Sequence, residues 1–269
     1  MCTLVLAWRC FDQTPVAVGA NRDEQLGRAS EPPGTYATDP LVIAPRDAEA
    51  GGTWIGMNEH GVVAGLTNRW TDTDLAGERS RGTLVARALE HTSARSAAAA
   101  IEETTATVEY DGFSLVVADP TDAIYLSWEG HLERTALEPG VHVVVNVGYD
   151  KTFDIPSSRR NAGLEQARNA RRVRERLAVA PADVDGTRAG ASADRPPLGD
   201  GDVTQWVKTV KKVLGDHEYG VCIHGDGFGT RSSSLLTVGT ETNYWFADGP
   251  PCRHAYQPVD CCVDLEGQF

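Results

Sequence analysis

Short apolar runs, separated by polar or glycine- and proline-rich segments, recur along most of the sequence. Runs of this length that are rich in Val, Leu and aromatic residues are typical of buried β-strands. The first two, Thr3–Trp8 and residues 16–20, flank a turn over residues 12–15 and predict a hairpin. Residues 62–66 predict the return strand of a second hairpin, after a turn at residues 58–61. The other predicted strands are residues 41–44, Phe113–Ala118, Ala123–Trp128, 141–145, 220–224, 232–238 and 244–247.

Helical spacing of apolar residues occurs in four stretches, namely residues 80–91, 93–101, 157–179 and 202–214. Thr92-Ser93 can cap the second of these helices at its N-terminus. Three segments lack such periodicity. Pro32-Pro33-Gly34 predicts a loop, residues 181–201 predict a surface loop, and residues 250–269 predict a tail that wraps the surface.

Strands and helices alternate in blocks, which predicts an α+β fold dominated by antiparallel pairs. Two sheets between two helical layers, in a single domain over residues 1–269, fit this order. A dinucleotide-binding βαβ fold does not, because no strand leads into a GxGxxG motif. The glycine cluster at residues 225–229 precedes a strand rather than a helix and predicts a turn.

The net charge of −13 disfavours nucleic acid and anionic membranes as partners. No apolar run approaches the ~20 residues of a membrane helix, so we expect no integral membrane association and a cytoplasmic location. Lysine occurs at four positions only, and a composition rich in acids and poor in lysine resembles that of salt-loving archaea. We therefore interpret the acidic stretches as solvated surface.

The six cysteines include no CxxC pair, and the adjacent Cys261-Cys262 cannot chelate a metal well alone. His254 near Cys252 is the one hint of a ligand pair, and chance proximity explains it better. We expect free thiols in a reducing compartment, and neither a metal site nor a cofactor is predicted.

Cys2 is the first candidate for chemistry. It follows Met1 directly and precedes the first strand, and initiator methionine is usually removed before a residue this small. A mature chain beginning at Cys2 would carry a thiol and an α-amine on one residue, a nucleophile beside a base. The alternative is that Cys2 is a small hydrophobic residue at the start of a strand.

Polar residues cluster where the predicted strands end, at Asn21-Arg22-Asp23-Glu24, Thr67-Asn68-Arg69, Asn146 and Gly229-Thr230-Arg231-Ser232. An arginine near a thiol lowers its pKa, an aspartate can hold that arginine, and an asparagine can donate to an oxyanion. The structural alternatives are turns and caps, or a surface ion pair worth under about 1 kcal/mol.

Together these motifs resemble the NRDE family, named for its tetrapeptide, whose animal members form the transport-and-Golgi-organisation protein 2 group. The resemblance runs from Met1 to about Ala247 and includes Gly52-Thr53-Trp54-Ile55-Gly56 and Ser80-Arg81-Gly82. Residues 181–201 and the tail lie outside it. The family is similar to N-terminal nucleophile hydrolases of the bile-salt hydrolase and penicillin V acylase branch, which implies an αββα sandwich.

That resemblance implies hydrolysis of a linear, non-peptide amide of a small molecule. Cys2 would be the nucleophile, Asn68 would hold the oxyanion, and Arg22, Asp23 and Asn146 would orient the thiol. Asn21, Glu24, Arg69 and Arg231 belong to the family motifs without an assigned role. The alternative is a non-catalytic binding or trafficking protein with a haem, lipid or acyl ligand, since a cysteine can ligate haem iron. The absence of Cys-Pro and CxxCH motifs argues against haem. A purely structural role is the third possibility.

Overall fold

The computed structural model describes residues 2–179 and 202–260. The strands of the first half are β1 (Thr3–Trp8), β2 (Val16–Gln25), β3 (Ser30–Thr38), β4 (Leu41–Asp47), β5 (Ile55–Asn58) and β6 (Val63–Asn68). Those of the second half are β7 (Phe113–Ala118), β8 (Ala123–Trp128), β9 (Leu132–Ala136), β10 (Gly140–Val145), β11 (Gly148–Tyr149), β12 (Thr152–Phe153), β13 (Phe228–Val238), β14 (Asn243–Ala247) and β15 (Gln257–Pro258). The α-helices are α1 (Gly82–Ala88), α2 (Ala94–Thr105), α3 (Arg160–Leu177) and α4 (Val203–Gly215).

The strands form two antiparallel sheets. The first has the order β12-β11-β10-β1-β2-β13-β14-β15, and the second has the order β3-β4-β5-β6-β7-β8-β9. The N-terminal strand β1 therefore lies inside the first sheet, between β10 and β2. None of the helices in the described ranges combines the length and the apolarity that crossing a membrane requires.

Alternation along β1 shows how the layers pack. Leu4, Leu6 and Trp8 enter the core between the two sheets, while Val5 and Ala7 pack beneath α3 and α4. A third core joins the outer face of the second sheet to α1 and α2. Since successive side chains of a strand point to opposite faces, one short strand contributes to two cores. The predicted αββα sandwich is confirmed.

The two sheets approach closely near the start of β1. A Cβ added at Gly65 of β6 would lie 2.4 Å from Leu4 Cδ1. A larger residue at this position would require the Leu4 side chain to move, so β6 comes close to the strand that follows Cys2.

Several boundaries differ from the sequence-based predictions. The second strand does not end at residue 20, because the next five residues pair with β13 and extend β2 to Gln25. Pro32-Pro33-Gly34 lies in β3 rather than in a loop; β3 is an edge strand with register shifts, where proline is tolerated. Residues 220–224 form no strand, since Gly220 adopts φ +65° and His224 makes one isolated bridge to Gly229.

Of the remaining predicted elements, some agree with the structure and others do not. Helix α1 is shorter than predicted, and β9, β11, β12 and β15 were not predicted. The long helix and the helix before residue 215 agree with α3 and α4 within a few residues. The predicted loop at 181–201, the tail beyond residue 260 and Met1 lie outside the described residues.

Candidate active site

Cys2 lies at the point where three strands of the first sheet run side by side. Thr3 pairs with Asn21 of β2 and with Val145 of β10. Because both pairings are antiparallel, the residue before Thr3, Cys2, lies beside Arg22 on β2 and beside Asn146, directly after the end of β10. The sheet therefore brings together residues from three distant parts of the chain.

The thiol of Cys2 contacts the backbone of Asp23. Its Sγ lies 3.6 Å from the Asp23 carbonyl oxygen, and the Asp23 N–H donates to Sγ at 3.5 Å. Burial raises the pKa of the Cys2 thiol, and the nearby charge of Arg22 opposes this only weakly. Arg22 therefore acts on the thiol in the expected direction, but loss of hydration outweighs its attraction and the net shift of the Cys2 pKa is upward.

Arg22 is buried between the sheets with its charge partly neutralised. Its Nη2 donates to Asp47 Oδ2 at 3.2 Å, and its guanidinium stands 4.2 Å from the centre of the Trp54 ring. Arg28 shares the same Asp47 oxygen at 2.7 Å. The Nη1 group of Arg22 is buried and has no hydrogen-bond partner among the described residues. Arg22 can therefore still donate one strong hydrogen bond.

Asp23 is held by the neighbouring strand. Thr230 of β13 donates from Oγ1 to Asp23 Oδ1 at 2.5 Å, and the Ile223 N–H donates to the same hydroxyl at 2.8 Å. Burial raises the pKa of the Asp23 carboxyl, and the bond from Thr230 opposes that shift. Thr230 thus links Asp23 to the segment that precedes β13.

The other two residues of the tetrapeptide have different surroundings. The Asn21 amide donates to the carbonyl oxygens of Leu214 and Val221 at 2.9 and 2.8 Å, which fixes the end of α4 against β2. Glu24 Oε2 lies 3.9 Å from Arg22 Nη2 and 4.0 Å from Arg28 Nε. Asn21 is therefore a structural residue, while Glu24 adds negative charge beside Arg22.

The two asparagines proposed for the site contact one another. Asn146 Nδ2 donates to the Asn68 carbonyl oxygen at 2.6 Å, and Gln166 of α3 donates to Asn146 Oδ1 at 2.7 Å. These two bonds fix the orientation of the Asn146 amide. Asn68 follows Ala64 and Leu66 on the face of β6 that packs towards α1 and α2.

A small enclosed cavity of about 20 Å³ adjoins Cys2, enough for one water molecule or one carbonyl oxygen. Its lining includes Thr67 but not Asn68. Four of the lining residues carry a buried polar atom with no partner in the described chain, namely Thr3 Oγ1, Asn21 Oδ1, Arg22 Nη1 and Thr67 Oγ1. By strand alternation, Arg22 and Thr67 lie on the faces between the two sheets, whereas Thr3 and Asn21 lie on the face covered by α3 and α4. The complete lining is Cys2, Thr3, Leu4, Ala20, Asn21, Arg22, Trp54, Leu66 and Thr67.

The remaining motif arginines do not reach the cavity. Arg69 pairs with Glu129. Arg231 lies where the register of β13 shifts between Thr230 and Ser232, and its Nη2 is 3.4 Å from the Arg28 carbonyl oxygen.

Three residues near the site were missed by sequence reasoning. Thr67 and Thr230 lie inside the quoted motifs, but their neighbours Asn68 and Arg231 were chosen instead. Strand alternation could have identified Thr67, since it shares a face with Val63 and Gly65. Arg81, in the quoted Ser80-Arg81-Gly82, is half-buried; burial lowers its pKa, and electrostatic interaction with Cys2 opposes that shift. Its Nη1 donates to the Gly112 carbonyl oxygen at 3.0 Å.

Comparison of the fold with solved structures gives two informative neighbours. An N-acylethanolamine-hydrolyzing acid amidase ortholog from Caenorhabditis elegans superposes with a TM-score of 0.51 and 12% identity, over 87% of this chain and 92% of its own. The C2A mutant of conjugated bile acid hydrolase from Clostridium perfringens gives a TM-score of 0.50 and 12% identity, over 99% and 94%. The chain therefore has the fold of N-terminal nucleophile hydrolases.

Sequence comparison identifies closer relatives. The Bos taurus Transport and Golgi organization protein 2 homolog is 27% identical over 255 residues, which cover 88% of this chain and 90% of the relative. The Homo sapiens homolog is 25% identical over 254 residues, with the same coverage. The family described as Transport and Golgi organisation 2 matches residues 1–249. With so much of its length matched, the chain belongs to the Transport and Golgi organisation 2 family.

Proposed function

We propose that this protein is a Cys2-dependent amidohydrolase that cleaves a linear, non-peptide C–N amide bond of a small molecule. The observation that carries the proposal is the cavity at Cys2. The cavity is the size of one oxygen atom, and its lining includes the Cys2 thiol, Arg22 with a buried unpartnered Nη1, and Thr67 with a buried unpartnered hydroxyl. Donors converging on such a space can stabilise an oxyanion, provided that the thiol can attack the adjacent carbon.

The proposed reaction starts from a chain without Met1. Cys2 Sγ bonds to the amide carbon while the thiol proton passes to the α-amine of the same residue. The carbonyl oxygen becomes an oxyanion, for which Arg22 Nη1 and the Thr67 hydroxyl are the proposed donors. The C–N bond then breaks, the α-ammonium protonates the leaving amine, and a thioester on Cys2 remains.

Water completes the cycle. The α-amine removes a proton from water as its oxygen attacks the thioester carbon. The S–C bond breaks, the carboxylic acid leaves, and the thiol recovers its proton. A base on the nucleophile itself suits a thiol whose pKa is raised by burial, because attack and proton transfer are then coupled. Asp23 and Asn146 would act as positioning residues, the first through its backbone contacts to Sγ and the second through its fixed amide.

The test uses a library of small acyl amides with the wild-type chain, Cys2→Ala and, as a matched control, Cys10→Ala. We expect turnover by the wild type and the control, loss in Cys2→Ala, and an acyl adduct at Cys2 in intact-mass spectra. Equal turnover in Cys2→Ala would contradict the proposal. So would a purified chain that retains Met1 and still hydrolyses the amide, since no α-amine would then be present at Cys2.

The second candidate is a non-catalytic carrier in which Cys2 contacts a bound haem, lipid or acyl group instead of attacking an amide. The raised pKa of Cys2 favours it, because a neutral thiol is a weak nucleophile. The relatives are named for transport and Golgi organisation, which also fits a carrier. A haem titration followed at the Soret band tests the haem form: a shift that disappears in Cys2→Ala supports it, and an identical response of both proteins contradicts it.

A further inference from the structure

Four potential metal ligands lie together near the start of β13. They are His217, Cys222, His224 and Cys252. One ligand atom from each residue lies within 4.8 Å of all the others. His224 Nε2 is 3.1 Å from Cys252 Sγ and 3.7 Å from Cys222 Sγ, and the rings of His217 and His224 are 5.0 Å apart between centroids.

These separations are close to those of a tetrahedral zinc site. Zinc bonds of about 2.3 Å to sulfur and about 2.0–2.1 Å to nitrogen place neighbouring ligand atoms roughly 3.3–3.8 Å apart. Of the two sulfur–nitrogen distances, 3.7 Å lies inside that interval and 3.1 Å lies slightly below it. Two thiolates and two imidazoles form a ligand set that zinc prefers over harder cations.

The backbone holds the ligands in place by its own contacts. His217 opens a 3₁₀ turn, His217–Tyr219, directly after α4. Cys222 and His224 flank Ile223, whose N–H and carbonyl oxygen both bond to Thr230. Cys252 lies in the turn where Arg253 N–H donates to the Pro250 carbonyl oxygen at 2.9 Å. The four side chains thus come from two segments that are each fixed independently.

We propose that His217, Cys222, His224 and Cys252 bind one structural zinc ion. Four protein ligands complete a tetrahedral site and leave no position for substrate, which is typical of structural rather than catalytic zinc. The ion would join the segment after α4 to the segment after β14. None of the four residues lines the Cys2 cavity, so this inference is independent of the proposed hydrolase activity.

The arrangement also allows a competing chemistry. The sulfur atoms of Cys222 and Cys252 belong to the same cluster, and both cysteines are free thiols in the structure. A disulfide between them would consume the two sulfur ligands and exclude zinc. The experiment must therefore report on metal and on thiols in the same sample.

The test measures zinc per chain by elemental analysis of full-length protein purified with reductant, followed by replacement with cobalt. We expect about one zinc per chain, and a cobalt spectrum with the d–d bands of tetrahedral geometry and a sulfur-to-cobalt charge-transfer band. Cys252→Ser, which changes an exposed ligand, is expected to weaken zinc affinity by more than about tenfold. Cys10→Ala and His131→Ala are matched controls outside the cluster and should keep the zinc.

Three results would overturn the proposal. One is zinc content that is unchanged in Cys252→Ser, which would indicate binding to surface carboxylates instead. Another is a cobalt complex of the wild type without the charge-transfer band. The third is an intact mass showing a Cys222–Cys252 disulfide without metal. The wild-type cobalt spectrum keeps the test decisive even if a variant fails to fold, which circular dichroism would reveal.

Discussion

Two regions of the molecule surround their cysteines with different chemical groups. One is the Cys2 cavity, and the other is the cluster formed by His217, Cys222, His224 and Cys252. The first encloses one thiol beside a buried cation and unpartnered donors. The second gathers two thiols and two imidazoles that can satisfy one another around a cation. A cysteine with free donors around it suits covalent chemistry, whereas cysteines that face other soft ligands suit metal binding. Residue type alone therefore does not decide what a cysteine does; its neighbours do.

Cys2→Ala should separate the two regions most clearly. Removing a nucleophile lowers kcat by about 10⁴-fold or more in a hydrolase, while the zinc cluster loses no ligand. We expect hydrolysis to vanish and zinc content to stay at one per chain, measured on the same preparation. Loss of both would mean that the two regions are not independent.

Removal of zinc should have the next largest effect, this time on stability. An ion that binds the native chain at a thousand times its Kd contributes about 4 kcal/mol to the free energy of unfolding. Urea unfolding with and without a chelator measures the difference. Cys252→Ser should lose less stability on addition of the chelator than the wild type, and an equal loss in the two proteins would point to another binding site.

Thr230→Val tests the residue that connects the two regions. It removes the bond to Asp23 Oδ1 and leaves the Ile223 N–H without its partner. Leaving a buried group unsatisfied costs about 1–3 kcal/mol, so urea unfolding should show a loss of that size. Because Asp23 contacts the Cys2 thiol, turnover should fall as well, whereas Ser234→Ala, farther along β13, should leave turnover unchanged.

The pH dependence of Cys2 alkylation should show the smallest effect. Burial raises the pKa of this thiol, so a smaller fraction is thiolate at neutral pH than in a free cysteine of pKa about 8.5. Iodoacetamide should therefore label Cys2 more slowly than a cysteine peptide at pH 7, and the rate should keep rising above pH 8.5. Peptide mapping identifies the labelled residue. A rate that levels off below pH 8.5 would show that the thiol is activated instead.

The sequence was sufficient to predict elements that have a clear hydrophobic pattern of their own. Strand β1 has an uninterrupted apolar run, and α4 begins at the Asp202 cap. Predictions failed where pairing with a distant strand overrides local preference. Asn21 to Gln25 are polar and resemble a turn, yet β13 holds them in a strand. Pro32 and Pro33 are likewise tolerated in β3 because it lies at an edge.

In the candidate site too, contacts between strands that are adjacent in sequence were predictable, and contacts between distant segments were not. The closeness of Cys2 to Arg22 and Asp23 follows from the first hairpin, so it was predictable from sequence. Thr67 belongs to the other sheet, and its approach to Cys2 depends on how the sheets pack through Gly65. The zinc cluster was less accessible still, because Cys252 joins it from a turn after β14. The thiol pKa also depends on burial, which the order of residues does not reveal.

The central place of β1 in its sheet has a consequence for biosynthesis. One partner, β2, follows it immediately, but the other, β10, begins only at Gly140. Domains complete their long-range pairing only after the distant strands have left the ribosome. During that interval the N-terminus is not yet enclosed by its sheet. An aminopeptidase that acts on the nascent chain would therefore meet the residue on which the proposed chemistry depends before β10 has paired with β1.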